Sequence, residues 1–181
     1  MPIKTLNAAQ LECLSSPARS EVFMQLRSIG QASIGELGRS LGKRPEAIHY
    51  HVKALVKAKL AKEAFRRPGI KKPESVYEPI GTNWRLPRMR AGSPVAEMAR
   101  KTVAAGFRQS ARGYLKAAER ADREPHVRKR MQVIRMNIRL KPEDIPVLME
   151  MIEAVVKFAD EHKSADGERL AWSSILYPPV R

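Results

Sequence analysis

If residues 45–58 are helical, Ile48, Val52 and Leu55 share one face, and Pro45, Glu46, His49, Tyr50 and Lys53 are left on the other. Side chains of these types read base edges in a DNA groove: a lysine donates to guanine O6 and N7, and Glu46, the one acid of the set, is suited to accept from cytosine N4. Arg44 stands just before Pro45, where the positive end of the helix dipole would meet a phosphate. Further on, Arg66 and Arg67 precede, and Lys71 and Lys72 lie within, the run Pro68-Gly69-Ile70-Lys71-Lys72-Pro73, a basic tip fit to contact phosphates or to enter a minor groove. Other chemistry finds little material. No Gly-rich phosphate loop follows a strand pattern, and no nucleophile elbow or Cys–His spacing occurs, so neither enzymatic activity nor a cofactor is expected. Cys13 is the single cysteine, which leaves no disulfide and no cysteine-based zinc site. His49 and His51, at i and i+2 on a helix, point about 200° apart and cannot share a metal, so no metal site is expected.

Elements that would position these groups are written in the local sequence. Ser16-Pro17 is an N-cap followed by a first-turn proline, Val22, Phe23, Leu26 and Ile29 form an apolar stripe, and Gly30 ends it. Ser33-Ile34-Gly35-Glu36 is a capping box, Leu37 and Leu41 face inward, and Gly42 stops the helix. A third helix begins at Arg44-Pro45-Glu46. After Leu60 the period changes: residues 61–67 and 74–80 read as two strands of a hairpin, with Pro79 confining its strand to an edge. Short helix, tight turn, amphipathic helix, then a hairpin is the order of a winged helix-turn-helix.

The charge agrees with a polyanion as partner. The 181 residues carry 34 Lys and Arg against 19 Asp and Glu, a formal +15, with only 6% aromatic residues. Phosphate backbones supply most of the free energy of contacts made by such a surface. Residues 1–90 are net +10 and residues 100–139 net +9, whereas residues 140–181 are net −3. No apolar run is long enough to span a bilayer, no secretory leader is visible and cysteine is scarce, so a cytoplasmic location without membrane association is expected.

Leu14-Ser15-Ser16-Pro17-Ala18-Arg19, Glu36-Leu37-Gly38-Arg39-Ser40-Leu41-Gly42, Ile48-His49-Tyr50-His51-Val52-Lys53-Ala54-Leu55 and Ala58-Lys59-Leu60 resemble the ArsR-type winged-helix regulators over about residues 10–80. MarR-like and PadR-like proteins share that architecture. The resemblance implies a homodimeric transcription factor, a repressor, that sets one recognition helix per subunit into the major groove of double-stranded DNA. Lys59 departs from the glycine common in the family at the end of that helix. The cysteines of arsenic and cadmium sensors are absent from residues 36–41, and His51 matches a family position that packs against the hairpin.

Beyond Gly81–Ser93, where Pro87, Gly92 and Pro94 break helical periodicity, a long helix runs from Ser93-Pro94 to about Arg123. Val95, Met98, Thr102 and Ala105 begin its apolar face; Tyr114, Leu115 and Ala118 continue it. Gly106 and Gly113 imply a bend, the close approach of another backbone, or a plain break into two helices. Arg108, Arg112, Lys116 and Arg120 make a basic stripe that would be solvated, meet the acidic tail, or extend a DNA footprint. Ile134, Met136, Ile138 and Leu140 then alternate with polar residues as a strand does, Lys141-Pro142-Glu143-Asp144 opens a helix, and residues 170–177 form a final strand. Leu140-Lys141-Pro142-Glu143-Asp144 is similar to the helix start of a C-terminal extension found in some ArsR-like regulators, which implies dimer packing or enclosure of a small-molecule effector near Met136, Ile138, Trp172 and Leu176. The fold class expected is α+β, predominantly α: a winged helix-turn-helix domain over residues 1–82, a linker over 83–92, and a long helix with a small strand-helix-strand unit over 93–181. The alternative is a winged-helix RNA-binding or protein-interaction module without operator readout.

Overall fold

The computed structural model describes residues 4–69, 72–81, 84–87, 92–162, 164 and 167–178. These fall into two compact units, one of residues up to 112 together with those from 171 on, the other of residues 113–170.

The first unit opens with β1 (Lys4–Thr5), α1 (Ala8–Ser15) and α2 (Pro17–Ile29). α1 is absent from the sequence reading. Its start is a reciprocal cap in which Asn7 Oδ1 accepts from the Gln10 N–H at 2.9 Å and Gln10 Oε1 accepts from the Asn7 N–H at 3.0 Å. α2 begins and ends at the Pro17 and Gly30 signals. There follow β2 (Ala32–Ser33), α3 (Ile34–Leu41), α4 (Pro45–Lys57), β3 (Ala61–Arg67), β4 (Glu74–Pro79) and β5 (Trp84–Arg85). Leu11, Val22, Leu26, Leu37, Ile48, Val52, Leu55 and Leu60 are fully buried and form one core between the helices. A Leu among them loses about 2–5 kcal/mol on truncation to Ala.

The sheet order is β2-β4-β3, all antiparallel, so β4 is central and not the edge strand that Pro79 suggests. The reason is the shortness of β2, which pairs Ala32 with Tyr77 and Ser33 with Val76 and stops there. Pro79 lies past its reach and pairs only with Ala61 of β3, so its missing N–H interrupts no ladder on the other side.

α4 ends in a Schellman arrangement, the Leu60 N–H donating to Leu55 O at 2.9 Å and the Lys59 N–H to Val56 O at 3.0 Å. That geometry places Lys59 at φ +54°, left-handed backbone in a residue that has a Cβ, and Gln10 Nε2 donates to its carbonyl at 3.3 Å. The family-like glycine is missing from the sequence, yet its conformation is kept. Lys59→Gly is therefore expected to raise stability by about 1 kcal/mol, measured by urea unfolding, through release of the Cβ clash with the following carbonyl.

α5 (Pro94–Ala121) is one continuous helix, which corrects the reading of a break at its glycines. An added Cβ at Gly106 or Gly113 would meet nothing within 4 Å in this chain. Its first turns belong to the first unit: Ala99 is buried, Val95 and Met98 pack on the core, and Thr102 Oγ1 donates to Leu11 O at 3.2 Å.

The second unit contains the end of α5, then α6 (Pro125–Arg128) and α7 (Asp144–Glu161). Residues 132–140 form no strand, and make no main-chain hydrogen bond among the described residues. Residues 170–177 form none either. Both strand expectations thus fail within a single chain. The alternating side chains stand in the open, Ile134 at 66% and Met136 at 62% of full exposure. Ile138, Trp172 and Leu176, the other residues named for an effector enclosure, are exposed as well. An open groove in this unit is lined by Tyr114, Ala118, Ala121, Asp122, Arg128 and Met131.

Candidate nucleic-acid interface

The geometry of the site begins at α3. Ser33 Oγ accepts from the Glu36 N–H at 3.3 Å while Glu36 Oε2 accepts from the Ser33 N–H at 2.7 Å, the capping box read from the sequence. Gly42 ends α3 at φ +62°, and the Lys43 N–H returns to Gly38 O at 2.9 Å. Gly38 allows the chain to pass this close, for a Cβ there would lie 2.9 Å from the Lys43 carbonyl oxygen. Gln25 Nε2 donates to Ser40 Oγ, and Lys43 pairs with Glu21, fixing the turn against α2.

From this turn α4 leaves with Arg44 in extended conformation and Pro45 in its first turn. Ile48, Val52 and Leu55 go into the core. Arg44, Pro45, Glu46, His49, Tyr50 and Lys53 are all exposed, Tyr50 at 67% of full exposure. No ion pair engages Arg44, Glu46 or Lys53 among the described residues. The α4 N-terminus has no side-chain cap; Pro45 has no N–H and the Ala47 and Ile48 N–H groups donate to Arg44 O at 3.2 and 3.3 Å, which leaves the Glu46 N–H for an anion.

His51, on the same helix, is half-buried, and its Nδ1 is buried without a hydrogen-bond partner. Burial first, then the charges of Lys43 and Arg19, push its pKa below the ordinary value, which favours the neutral ring. Its ring meets that of Tyr50 edge-on at 5.6 Å.

The hairpin of β3 and β4 carries a bulge between Glu63 and Phe65. Arg66 is exposed, and its Nε donates to Glu63 Oε1 at 2.8 Å on the surface. Lys72 is exposed; Lys71 lies outside the described residues. Arg67 differs from the other cations. Its Nη2 donates to Glu36 Oε1 at 2.7 Å and its Nε to Glu74 Oε1 at 2.6 Å, so its guanidinium is held by two carboxylates of its own chain. Sequence reasoning listed Arg67 with the phosphate contacts and missed this bridge between α3 and the hairpin. The Glu36 half of the bridge carries no sequence signal, because 31 residues separate the partners.

The Ser33 N–H first, and then Arg67, hold the Glu36 carboxyl below its ordinary pKa; Arg67 does the same for Glu74. A depressed carboxylate contributes stability that is present above its unfolded value, near 4.5 for Glu36, and is lost as pH falls through the folded value. Glu36→Gln keeps a side-chain acceptor for the cap and removes the charge. The variant is expected to lose stability less steeply than the wild type below pH 4.5, measured by urea unfolding at stepped pH. Equal slopes would show that Glu36 is not linked to folding.

The basic stripe of α5 is exposed. Arg108, Arg112 and Lys116 are exposed without ion pairs among the described residues, and Arg120 pairs with Glu124 at 2.7 Å, not with an acid of the tail. Among the described residues no group of three or more His, Cys, Asp or Glu is placed to hold a metal ion, and no helix is long and apolar enough to cross a membrane.

A search of curated proteins finds no match. A family model described as a helix-turn-helix domain matches residues 14–64, from the end of α1 through α2, α3 and α4 into β3. That family includes ArsR-type regulators. The matched span is the one in which a capped α3, a glycine turn and an α4 with an exposed polar face follow one another, and residues 14–64 are a helix-turn-helix domain.

Proposed function

We propose that the protein is a sequence-specific transcriptional regulator that binds double-stranded DNA as a homodimer and represses, with residues 45–58 of each subunit in a major groove. The observation that carries this is the two-sided build of α4: its apolar side is locked in the core, while Arg44, Glu46, His49, Tyr50 and Lys53 are presented together. A surface evolved only for solubility has no need of an aromatic residue at 67% exposure between a free lysine and an uncapped helix start. The match to a helix-turn-helix family over residues 14–64 supports the same reading. Arg66, Lys71 and Lys72 of the wing would contact phosphates or the minor groove. Arg67 would hold the wing in place and lie close to the backbone.

The test is selection from a randomised duplex library at moderate salt, followed by titration of the winner against non-specific DNA and RNA. A two-fold symmetric motif with half-sites about 10 base pairs apart is the expected result. Binding that only fades with salt and prefers no sequence would overturn operator readout and leave an RNA-binding or protein-interaction module.

A further inference from the structure

The second unit leaves exposed a segment that the physics of burial does not allow to stay so. α7 places apolar residues over an arc of about 200°, at about 100° per residue. A stripe of about 100° suffices for a helix lying on one core. Yet none of its residues is buried. Immediately before it, residues 132–140 alternate apolar and polar as a half-buried strand does, with Ile134, Met136, Ile138 and Leu140 on one side, and their main-chain groups find no ladder among the described residues. A strand pattern without a strand partner, next to a helix with an unmatched apolar arc, is half of a structure.

We infer that the other half is a second copy: residues 132–140 of two subunits pair antiparallel across a two-fold axis at Met136, and each α7 covers the apolar side of the shared sheet. This rests on the homodimer reading above and specifies where the subunits join. The charges select the occupant and the register. Centring the pair on Asn137 sets Arg135 opposite Arg139, and centring it on Ile138 sets Arg135 opposite Lys141. Centring it on Arg135 or Arg139 sets that arginine against its own copy. Like charges directly opposite destabilise a pair. Centring on Met136 removes every such clash: Ile134 meets Ile138, Arg135 meets Asn137, Val133 meets Arg139. Centring it on Ile134 sets Arg139 opposite Lys129, so of the registers centred on residues 134–139 the segment is complementary to itself only at Met136, as an isologous interface requires. Residues 132–161 match the roughly 20–30 residues a side of a standard interface. The excess width of the α7 arc is what its symmetry mate covers, and the acids Glu150, Glu153 and Glu161 lie on the outward side.

The experiment uses the full chain with single cysteines added, Cys13 being buried and the wild type serving as control. Met136→Cys brings two thiols to the axis at the separation of directly opposed strand residues, about 4.5–5.5 Å between Cα atoms, within disulfide range. Leu140→Cys, on the same side of the strand, puts its thiols about 27 Å apart at 3.4 Å per residue. Light scattering is expected to give a dimer for all three proteins. Mild oxidation is expected to convert most of Met136→Cys to a covalent dimer, reversed by reductant, and to leave Leu140→Cys and the wild type unlinked. A dimer in which Met136→Cys does not cross-link, or in which Leu140→Cys cross-links as readily, would overturn the strand pairing and leave the homodimer standing. A monomer would overturn both.

Discussion

Gly38→Ala is expected to lower the stability of the helix-turn-helix by about 1–3 kcal/mol, the usual cost of inserting a methyl group where packing leaves no room. The added Cβ would lie 2.9 Å from the carbonyl oxygen of Lys43, a backbone atom that cannot swing aside as a side chain does. Relief requires moving the chain between α3 and α4. That turn is set by Gly42 at φ +62° and by the bond from the Lys43 N–H to Gly38 O, and Pro45 follows two residues later. A shift there carries α4 with it, so DNA binding should fall along with stability. Gly35→Ala is the matched control, since its Cβ would make only ordinary contacts, 3.6 Å to Arg39 Nη1 and 3.8 Å to Ser33 Oγ. Gly35 is the second residue of α3, where alanine is a better helix former than glycine. Urea unfolding and DNA titration of the two variants give the comparison. Equal behaviour would show that the close approach at Gly38 is unimportant.

The second large effect concerns Lys53. On the proposed function, Lys53→Ala should weaken binding to the selected operator by about 1–3 kcal/mol, which is roughly 5- to 150-fold. Lys53 is exposed and makes no ion pair among the described residues, so the loss is free of a folding component. Salt dependence then separates two roles. A phosphate contact gives a uniform loss across sequences and a salt slope smaller by about one unit; a base contact gives relaxed specificity at one position. Arg67→Ala should behave differently, with stability falling together with affinity, because its guanidinium ties Glu36 to Glu74. If Lys53→Ala bound the operator with unchanged affinity and slope, α4 would not be the recognition helix.

Local signals account for most of what the sequence disclosed. Caps and breakers named the bounds of α2, α3 and α4 because Ser16-Pro17, Ser33 with Glu36, Gly42 and Pro45 act on their nearest neighbours. Asn7 with Gln10 carries the same kind of signal, but the α1 it opens is only eight residues long, barely two turns in which to show an apolar period. Non-local facts were out of reach. Nothing near Pro79 tells that β2 is two residues long, and nothing near Arg67 tells that it meets Glu36. The exposed face of α4 was legible, since amphipathic spacing fixes it once the helix is placed. The strands at 134–140 and 170–177 were misjudged for one chain because periodicity reports the side chains' preference and not the presence of a partner ladder.

The bridge at Arg67 joins the tip end of the hairpin, where β3 and β4 run into their loop, to the first turn of α3, and the glycine turn joins α3 to α4. On the proposed function, the hairpin and α4 are thus the two jaws of a calliper whose opening is preset. On a duplex, a preset opening gauges the spacing between neighbouring grooves. Sequences whose groove spacing matches the jaws would be bound as they stand, and stiffer or differently shaped ones would have to be deformed at an elastic cost. Base pairs touched by no side chain would then still count in the choice of site, through the mechanics of the DNA between the jaws.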